Sequence, residues 1–186
     1  MRQEDMYQRQ AEAFVRANAA MMEALKHVRA LHLPQGYIAA GFVRNYIWNQ
    51  LHDRNELAPI NDTDVVYYDS DQLDEAVDLA YEAKLEERDP FWKWSVKNQA
   101  RMHIRNQILP YSSVEDALSK WPETATAVGV RLNADDALEW VCPWGFADMM
   151  EMKVRKSPLF SDEVYYNHRV QSKGWLTRWP MLTKED

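Results

Sequence analysis

Two aspartates separated by one residue are the feature of this sequence with the clearest chemical use. Asp62 and Asp64 flank Thr63, and the run VVYY at 65–68 predicts a strand because β-branched and aromatic residues favour extended backbone. Side chains alternate between the two faces of a strand, so both carboxylates point to one face, about 7 Å apart along the chain. Carboxylates held this close repel each other unless a cation lies between them. Oxygen ligands suit a hard ion, and the pair therefore predicts a site for Mg²⁺ or Mn²⁺.

A glycine turn earlier in the chain supplies groups that favour an anion. The run YIAA at 37–40 is typical of a short strand, Gly41 follows it, and apolar residues then recur at helical spacing. Glycine lets the backbone approach a ligand closely, and the N-terminus of the following helix favours a phosphate. Arg44, in the first turn, adds a planar cation suited to phosphate oxygens. We expect Gly41, the amide of Phe42 and Arg44 to hold phosphates, and Asn45 to orient nearby groups.

The glycine turn and the aspartate pair together resemble a known pattern. The sequence GFVRN, from Gly41 to Asn45, is followed after a predicted helix by Asp62-Thr63-Asp64. This order resembles the nucleotidyltransferase superfamily of DNA polymerase beta and the CCA-adding enzymes, whose pattern is a glycine pair, often followed by Val-Arg-Asp, and then Asp-x-Asp. The resemblance implies transfer of a nucleoside monophosphate from a nucleoside triphosphate (NTP) to an acceptor that the sequence does not identify. It also implies that Asp62 and Asp64 are both catalytic residues and metal ligands.

Most of the chain is similar to a smaller bacterial family of nucleotidyltransferase-like proteins. That similarity includes three further stretches, namely WSVKNQARMH at 94–103, WPETATAVGVRL at 121–132 and PWGFAD at 143–148. The similarity to the superfamily proper covers only about the first third of the chain after the N-terminal helix. The resemblance implies an α/β (α+β) fold in which helices flank a small mixed sheet.

The sequence also departs from the superfamily's pattern. The residue before Gly41 is Ala40 rather than a second glycine, and Asn45 replaces the usual aspartate. Many members carry a third carboxylate on a later strand, but residues 92–104 contain no acid. Asn98, or Glu139 on a later strand, is a candidate for the third metal ligand.

These departures leave three interpretations open. The first is a metal-dependent nucleotidyltransferase. The second is a catalytically inactive module that binds a nucleotide or a metal. The third is a purely structural protein in which Asp62 and Asp64 cap a turn.

A second polar segment follows the strand predicted at 91–96. The run KNQARMH at 97–103 is rich in hydrogen-bonding side chains and cations and contains no acid. It is either a polar helix start at the edge of the sheet or a segment that contacts substrate. On the second interpretation we expect Lys97, Asn98 and Arg101 to contact the substrate.

Composition narrows the class of protein. A chain of 186 residues with 46% apolar residues predicts one domain, 1–186, with an ample core. The net charge of −7 argues against a protein that coats nucleic acid, although it does not exclude a local basic groove. The single cysteine, Cys142, excludes an intrachain disulfide, and no run reaches the length of a membrane span. The N-terminus is polar rather than signal-like, so we expect a cytoplasmic enzyme that binds an NTP and an unidentified acceptor.

The remaining segments must position these groups. Apolar periodicity over 3–32 predicts a long amphipathic helix, in one or two pieces, that packs on the sheet. Residues 52–61 predict a loop that delivers the aspartates. Residues 126–132 and 137–142 predict a hairpin at the later edge of the sheet. The C-terminal segment 153–180 interleaves cations with aromatic rings, which suits either phosphate contact with base stacking or a helix that packs its rings inward.

Overall fold

The computed structural model describes residues 2–55 and 61–185. Its helices are α1 (Gln3–Arg16), α2 (Ala19–Arg29), α3 (Gly41–Leu51), α4 (Glu75–Arg88), α5 (Gln99–Asn106), α6 (Val114–Ser119), α7 (Ala147–Met150), α8 (Glu163–Lys173) and α9 (Trp175–Arg178). Its strands are β1 (Tyr37–Ala39), β2 (Thr63–Tyr67), β3 (Trp94–Asn98), β4 (Gly129–Leu132), β5 (Leu138–Val141), β6 (Lys153–Arg155) and β7 (Thr183–Glu185). Residues 56–60 of the predicted loop lie outside the described residues, as do the two terminal residues of the predicted domain.

Within the described ranges, five strands form one mixed sheet in the order β3-β2-β1-β4-β5. The middle strand, β1, pairs antiparallel with both of its neighbours. β2 and β3 run parallel and are joined by α4, whereas β4 and β5 form an antiparallel hairpin at the far edge. β6 and β7 form a separate parallel pair. The predicted α/β class with a small mixed sheet is confirmed, and the hairpin lies at the predicted edge.

One face of the sheet carries the main core. Ile38 of β1, Val65 and Tyr67 of β2 and Val96 of β3 are buried on this face and pack with apolar residues of α1, α2, α3 and α4. The alternation along β2 is what separates these residues from those of the other face.

The second face is covered by α6 at one end and open at the other. Val114 and Leu118 of α6 join Val66 and Ala39 in a smaller core. Farther toward the start of β2 on the same face, Asp64 is only half-buried. The sheet therefore leaves this end accessible to a ligand.

Helix α3 runs through the interior. Every residue from Phe42 to Asn49 is buried, including the polar side chains of Arg44 and Asn45. Buried polar groups must be hydrogen-bonded to be tolerated, so α3 has to carry a polar network as well as core contacts.

The N-terminal amphipathic segment forms two helices rather than one. The break falls at Asn18, whose side chain accepts a hydrogen bond from the Met21 amide at 3.1 Å and so caps α2. Ala11 and Val15 of α1 and four residues of α2 belong to the main core. No helix in the described part of the chain is both long enough and apolar enough to cross a membrane.

Candidate active site

The glycine turn and the aspartate pair lie at the same end of two paired strands. Ala39, the last residue of β1, stands directly opposite Asp64 of β2. Because the strands are antiparallel, β1 continues from Ala39 toward Gly41 while β2 runs back from Asp64 toward Asp62. The start of α3 and both carboxylates therefore lie at the same end of the sheet.

The two carboxylates differ in environment. Asp62 is exposed, whereas Asp64 is half-buried. Burial and the neighbouring charge of Asp62 raise the pKa of Asp64 to about 6, although nearby cations act to lower it. Neither carboxylate accepts a hydrogen bond from another described residue. The pair is thus a concentration of negative charge with no local hydrogen-bond donor.

This chemistry fits a hard divalent cation. Burial, and after it the charge of Asp62, raise the pKa of Asp64 and so disfavour its ionised form, which a neighbouring cation would stabilise. Across residues 2–55 and 61–185, no group of three or more histidine, cysteine or acidic side chains is arranged to hold a metal ion. Asp62 and Asp64 therefore fit as two oxygen donors to an ion that takes the rest of its shell from water and substrate.

Ala40 forms the turn between β1 and α3 in an unusual conformation. Its φ of 55° and ψ of −123° lie in a region that glycine enters freely and alanine rarely. Backbone bonds hold it there, because the Ala40 amide donates to Val128 O at 2.9 Å and its carbonyl accepts from the amides of Val43 and Arg44. The backbone thus keeps a glycine-type turn at a position occupied by alanine.

Hydrogen-bond donors line the space above Gly41. A Cβ atom at Gly41 would lie 3.0 Å from Asn45 Nδ2 and 3.5 Å from Arg44 Nη2. In the described structure the amides of Gly41 and Phe42, at the start of α3, donate to no backbone acceptor. The Phe42 ring itself is buried against Trp92, with ring centroids 5.1 Å apart, so only the backbone of Phe42 is placed to reach a ligand. A side chain at residue 41 would crowd these donors, whereas glycine lets the backbone approach a ligand closely.

Arg44 is buried beneath this space rather than extended into solvent. Its side chain is 3% exposed, and burial lowers its pKa to about 10, so it stays charged at neutral pH. Nε and Nη2 donate to Asn45 Oδ1 at 3.2 and 2.9 Å, and Nη1 donates to Thr126 Oγ1 at 2.6 Å. The guanidinium carbon also lies 4.4 Å from the ring centroid of Trp175 and 5.2 Å from that of Trp48. Arg44 is therefore a fixed cation that orients the amide of Asn45.

A fully buried carboxylate extends the network. Glu123 accepts a hydrogen bond from Thr126 Oγ1 at 2.9 Å and forms an ion pair with Arg169 Nε at 2.7 Å. Its charge also favours the ionised form of Arg44. The network links the start of α3 to α8. Sequence reasoning missed Glu123 because it has no local spacing signal.

The C-terminal segment places its tryptophans in the core. Trp175 and Trp179 are buried against Trp48, at centroid distances of 6.0 and 5.1 Å. These two rings pack inward, in line with the second interpretation of this segment. Among its cations, Arg169 and Lys173 are the ones whose charges act on Asp64.

The structure places Asn98 and Arg101 away from the aspartates. Asn98 lies opposite Tyr67, on the main-core face and at the other end of β2 and β3 from Asp64. Its side chain caps α5 by accepting from the Ala100 amide at 3.1 Å, and it bonds the backbone of residues 69 and 72. Arg101 forms an ion pair with the buried carboxylate of Asp78. Because asparagine is a common residue at the start of a helix, Asn98 could have been interpreted as the cap of α5 from the sequence.

Lys97 shares the open face of the sheet with Asp64. It is half-buried and pairs with Val66, which places it two residues farther along β3 than the position beside Asp64. Of the three predicted contacts in this segment, Lys97 alone lies on the face of the aspartates.

No acidic side chain occupies the position next to Asp64 on β3. That position is held by Ser95, which pairs with Asp64 in register. Glu139 lies on β5, three strands from β2, or about 14 Å at the usual strand spacing. It is bound to Arg131 at 2.6 Å, which lowers its pKa. Ser95 is therefore the polar side chain beside the pair, and a lone serine in a strand gave no sequence signal.

Comparison with known proteins identifies a matching family and similar solved structures. A family model described as nucleotidyltransferase matches residues 26–184. Among solved structures, the chain is similar to one described as an NMR structure that reveals a CCA-adding enzyme head domain. The two are 37% identical with a TM-score of 0.83, over 94% of this chain and 93% of that one. A comparison with curated proteins found no significant match.

More distant structures share the fold. The chain is similar to the Thermotoga maritima CCA-adding enzyme complexed with tRNA, at 16% identity and a TM-score of 0.54 over 89% of this chain and 38% of that one. It is also similar to a CCA-adding enzyme in complex with CTP, at 17% identity and a TM-score of 0.55 over 89% and 39%. The chain spans about two fifths of the length of these two enzymes. At these identities the likeness shows the fold alone.

Proposed function

The chain belongs to the nucleotidyltransferase family, and from that premise we propose that it transfers a nucleoside monophosphate from an NTP to an acceptor hydroxyl in a metal-dependent reaction. In such a reaction the acceptor hydroxyl loses its proton to solvent and its oxygen forms a bond to the α-phosphorus. The bond from that phosphorus to the bridging oxygen breaks, and pyrophosphate leaves. The observation that carries the proposal is that Asp64 and the hydrogen-bond donors around Gly41 lie at the same end of two paired strands.

Asp62 and Asp64 would hold the metal. Mg²⁺ held by these carboxylates would supply positive charge that offsets the negative charge of the phosphate oxygens. The two aspartates themselves contribute a fixed pair of oxygen donors on the open face of the sheet. Their placement on β2, a buried strand paired on both sides, keeps them in position before substrate arrives.

The start of α3 would hold the phosphates. The amides of Gly41 and Phe42 and the positive end of the helix favour an anion there. Asn45 would donate from Nδ2, because its Oδ1 is already held by Arg44. Arg44 would act on the anion through its buried charge and through the orientation it imposes on Asn45.

Two of the distant structures favour an NTP as donor substrate. They are described as complexes of CCA-adding enzymes with CTP and with ATP. A third is described as a complex with tRNA, which favours including RNA among the acceptors to be tested.

Turnover with labelled NTPs tests the proposal. Wild-type protein should release pyrophosphate and label an acceptor in the presence of Mg²⁺ or Mn²⁺. Asp62→Ala and Asp64→Ala should each lower that rate by more than about 100-fold, because fixed charges dominate phosphoryl chemistry. Asp71→Ala, which changes an exposed aspartate beyond β2, is the matched control and should retain the wild-type rate. Retained turnover in either site variant contradicts the proposal.

A nucleotide-binding module without catalysis is the second candidate. Ser95 beside Asp64 and alanine at the turn position favour it, since the superfamily pattern has a third carboxylate and a second glycine. Calorimetric titration of an NTP with and without Mg²⁺, combined with the pyrophosphate assay, separates the two. Metal-dependent binding with no pyrophosphate release supports the module.

A further inference from the structure

Helix α8 ends beside the candidate site with a cation that the predicted site did not include. Its last residue is Lys173, and the helix stops at Gly174, whose φ of 64° is a left-handed cap. Lys173 is exposed, and no hydrogen bond or ion pair joins it to another residue in the described ranges. Whether Lys173 can bind a ligand at the site therefore depends on what fixes its backbone and on which groups its side chain faces.

Two buried contacts fix the end of α8. One turn before Lys173, Arg169 is paired with the buried Glu123 at 2.7 Å. Two residues after it, Trp175 is 2% exposed and lies under the guanidinium of Arg44 at 4.4 Å. Arg169 also lies 5.7 Å from the Trp175 ring centroid. Because residues four apart share a helix face, Lys173 lies on the side of α8 that faces this network.

The contacts also relate Lys173 to the phosphate-binding space. Arg44 contacts both the end of α8 and the glycine turn. Trp175 stacks on its guanidinium, and its Nη2 lies 3.5 Å from the position that a Cβ atom at Gly41 would take. In agreement with this placement, the charges of Lys173 and Arg169 both act on Asp64. Arg169 is already neutralised by Glu123, and Arg44 is enclosed by hydrogen bonds. Lys173 is the one of these three cations that is free to move toward a ligand.

We propose that Lys173 binds the polyphosphate chain of the substrate, as an arm that reaches over the site from α8. The inference rests on the proposed function, because it takes the NTP as the ligand. An ammonium on a flexible four-carbon stem suits this task, since it can follow phosphate oxygens while its backbone stays fixed. The anchored end of α8 supplies the fixed point, and the exposed side chain supplies the reach.

Binding of inorganic tripolyphosphate measures this role without catalysis. Isothermal titration should give a dissociation constant for Lys173→Met about 10- to 100-fold weaker than for wild type, the effect expected for one charge-assisted contact. Lys173→Arg should recover most of the affinity. Lys84→Met on α4, which packs on the other face of the sheet, is the charge-matched control and should bind within about twofold of wild type.

The outcomes separate this inference from the proposed function. If Lys173→Met binds tripolyphosphate as tightly as wild type, if both lysine variants weaken equally, or if the wild type does not bind it, the inference is overturned. If the wild type binds and Lys173→Met does not, but no NTP is ever turned over, the inference stands and the enzymatic proposal fails. Far-ultraviolet circular dichroism of each variant establishes that the fold is intact.

Discussion

Replacing Asp64 by asparagine should stabilise the metal-free protein at the same time as it removes activity. The pKa of Asp64 is about 6, compared with 3.8 for an unperturbed aspartate. At 1.36 kcal/mol per pH unit, the difference corresponds to about 3 kcal/mol of folding free energy lost on ionisation. An asparagine side chain does not ionise, so Asp64→Asn avoids this loss.

The sign of the effect follows from the direction of the pKa. Because the pKa of Asp64 is raised in the folded state, folding is favoured while the group is protonated, and that stability is lost as pH rises from 3.8 through about 6. Asp64→Asn and wild type should therefore have similar free energies of unfolding near pH 3 and differ most at pH 8. The value of about 3 kcal/mol is an upper limit for this gain in stability, since burying the asparagine amide also costs free energy. It corresponds to a rise in Tm of about 6 to 12 °C for a chain of this size.

Urea unfolding in EDTA at pH 8 and at acid pH measures the difference. Asp62→Asn is the control, because Asp62 is exposed. Removing its charge takes away the smaller of the two main causes that raise the pKa of Asp64 and leaves the larger one, burial, unchanged. It should stabilise the protein less than Asp64→Asn does. Added Mg²⁺ should raise the Tm of wild type and leave that of Asp64→Asn unchanged. Equal stability of Asp64→Asn and wild type at pH 8 would refute the reasoning, as would a gain that does not depend on pH.

Other variants test the remaining parts of the site. Gly41→Ala should weaken binding of Mg-NTP by at least about tenfold in calorimetry, because the new Cβ fills the space between the donors. Ala40→Gly, the neighbouring control, should keep that affinity and raise the free energy of unfolding by about 1 kcal/mol, since strain of about 1–3 kcal/mol is released against a smaller entropic loss. Glu123→Ala should cost about 3–5 kcal/mol in urea unfolding by leaving Arg169 without its buried partner, whereas the exposed Glu87→Ala should change stability by less than about 0.5 kcal/mol. Asn98→Ala should lower stability by about 1–2 kcal/mol through loss of the α5 cap, and an unchanged KM for NTP would separate this role from a substrate contact.

The parts of the fold that follow local rules could be predicted from the sequence. The strand before Gly41, the helix after it and the alternation of the aspartates each depend on neighbours within a few residues. The meeting of the two motifs follows from a short antiparallel pairing in which Ala39 lies opposite Asp64, and no local pattern in the sequence specifies that pairing. The break at Asn18 was also foreseeable, because asparagine is a strong helix cap.

The hydrogen-bond and stacking contacts around Arg44 could not be predicted in the same way. An arginine in a first helical turn is usually exposed, and only its long-range partners explain why this one is buried. Thr126 is 82 residues away in the sequence, and Trp175 lies farther still. Neither residue carries a pattern that links it to a glycine turn. Sequence spacing therefore predicted a cation near the glycine turn but not the buried partners that hold Arg44.

The geometry weighs against the structural interpretation of the aspartates. Side chains that cap a turn accept hydrogen bonds from backbone amides, as Asn18 does here, but neither Asp62 nor Asp64 accepts one from the described residues. The same end of the sheet also holds Ala40 in a strained conformation and Asp64, whose ionised form destabilises the fold. Unfavourable features of this kind persist where the surrounding structure fixes them. Here β1 is paired on both sides, and Phe42–Asn49 of α3 are buried. A bound cation would offset the repulsion that Arg44, Lys173 and Arg169 relieve only in part, so ligand binding accounts for the arrangement better than stability does.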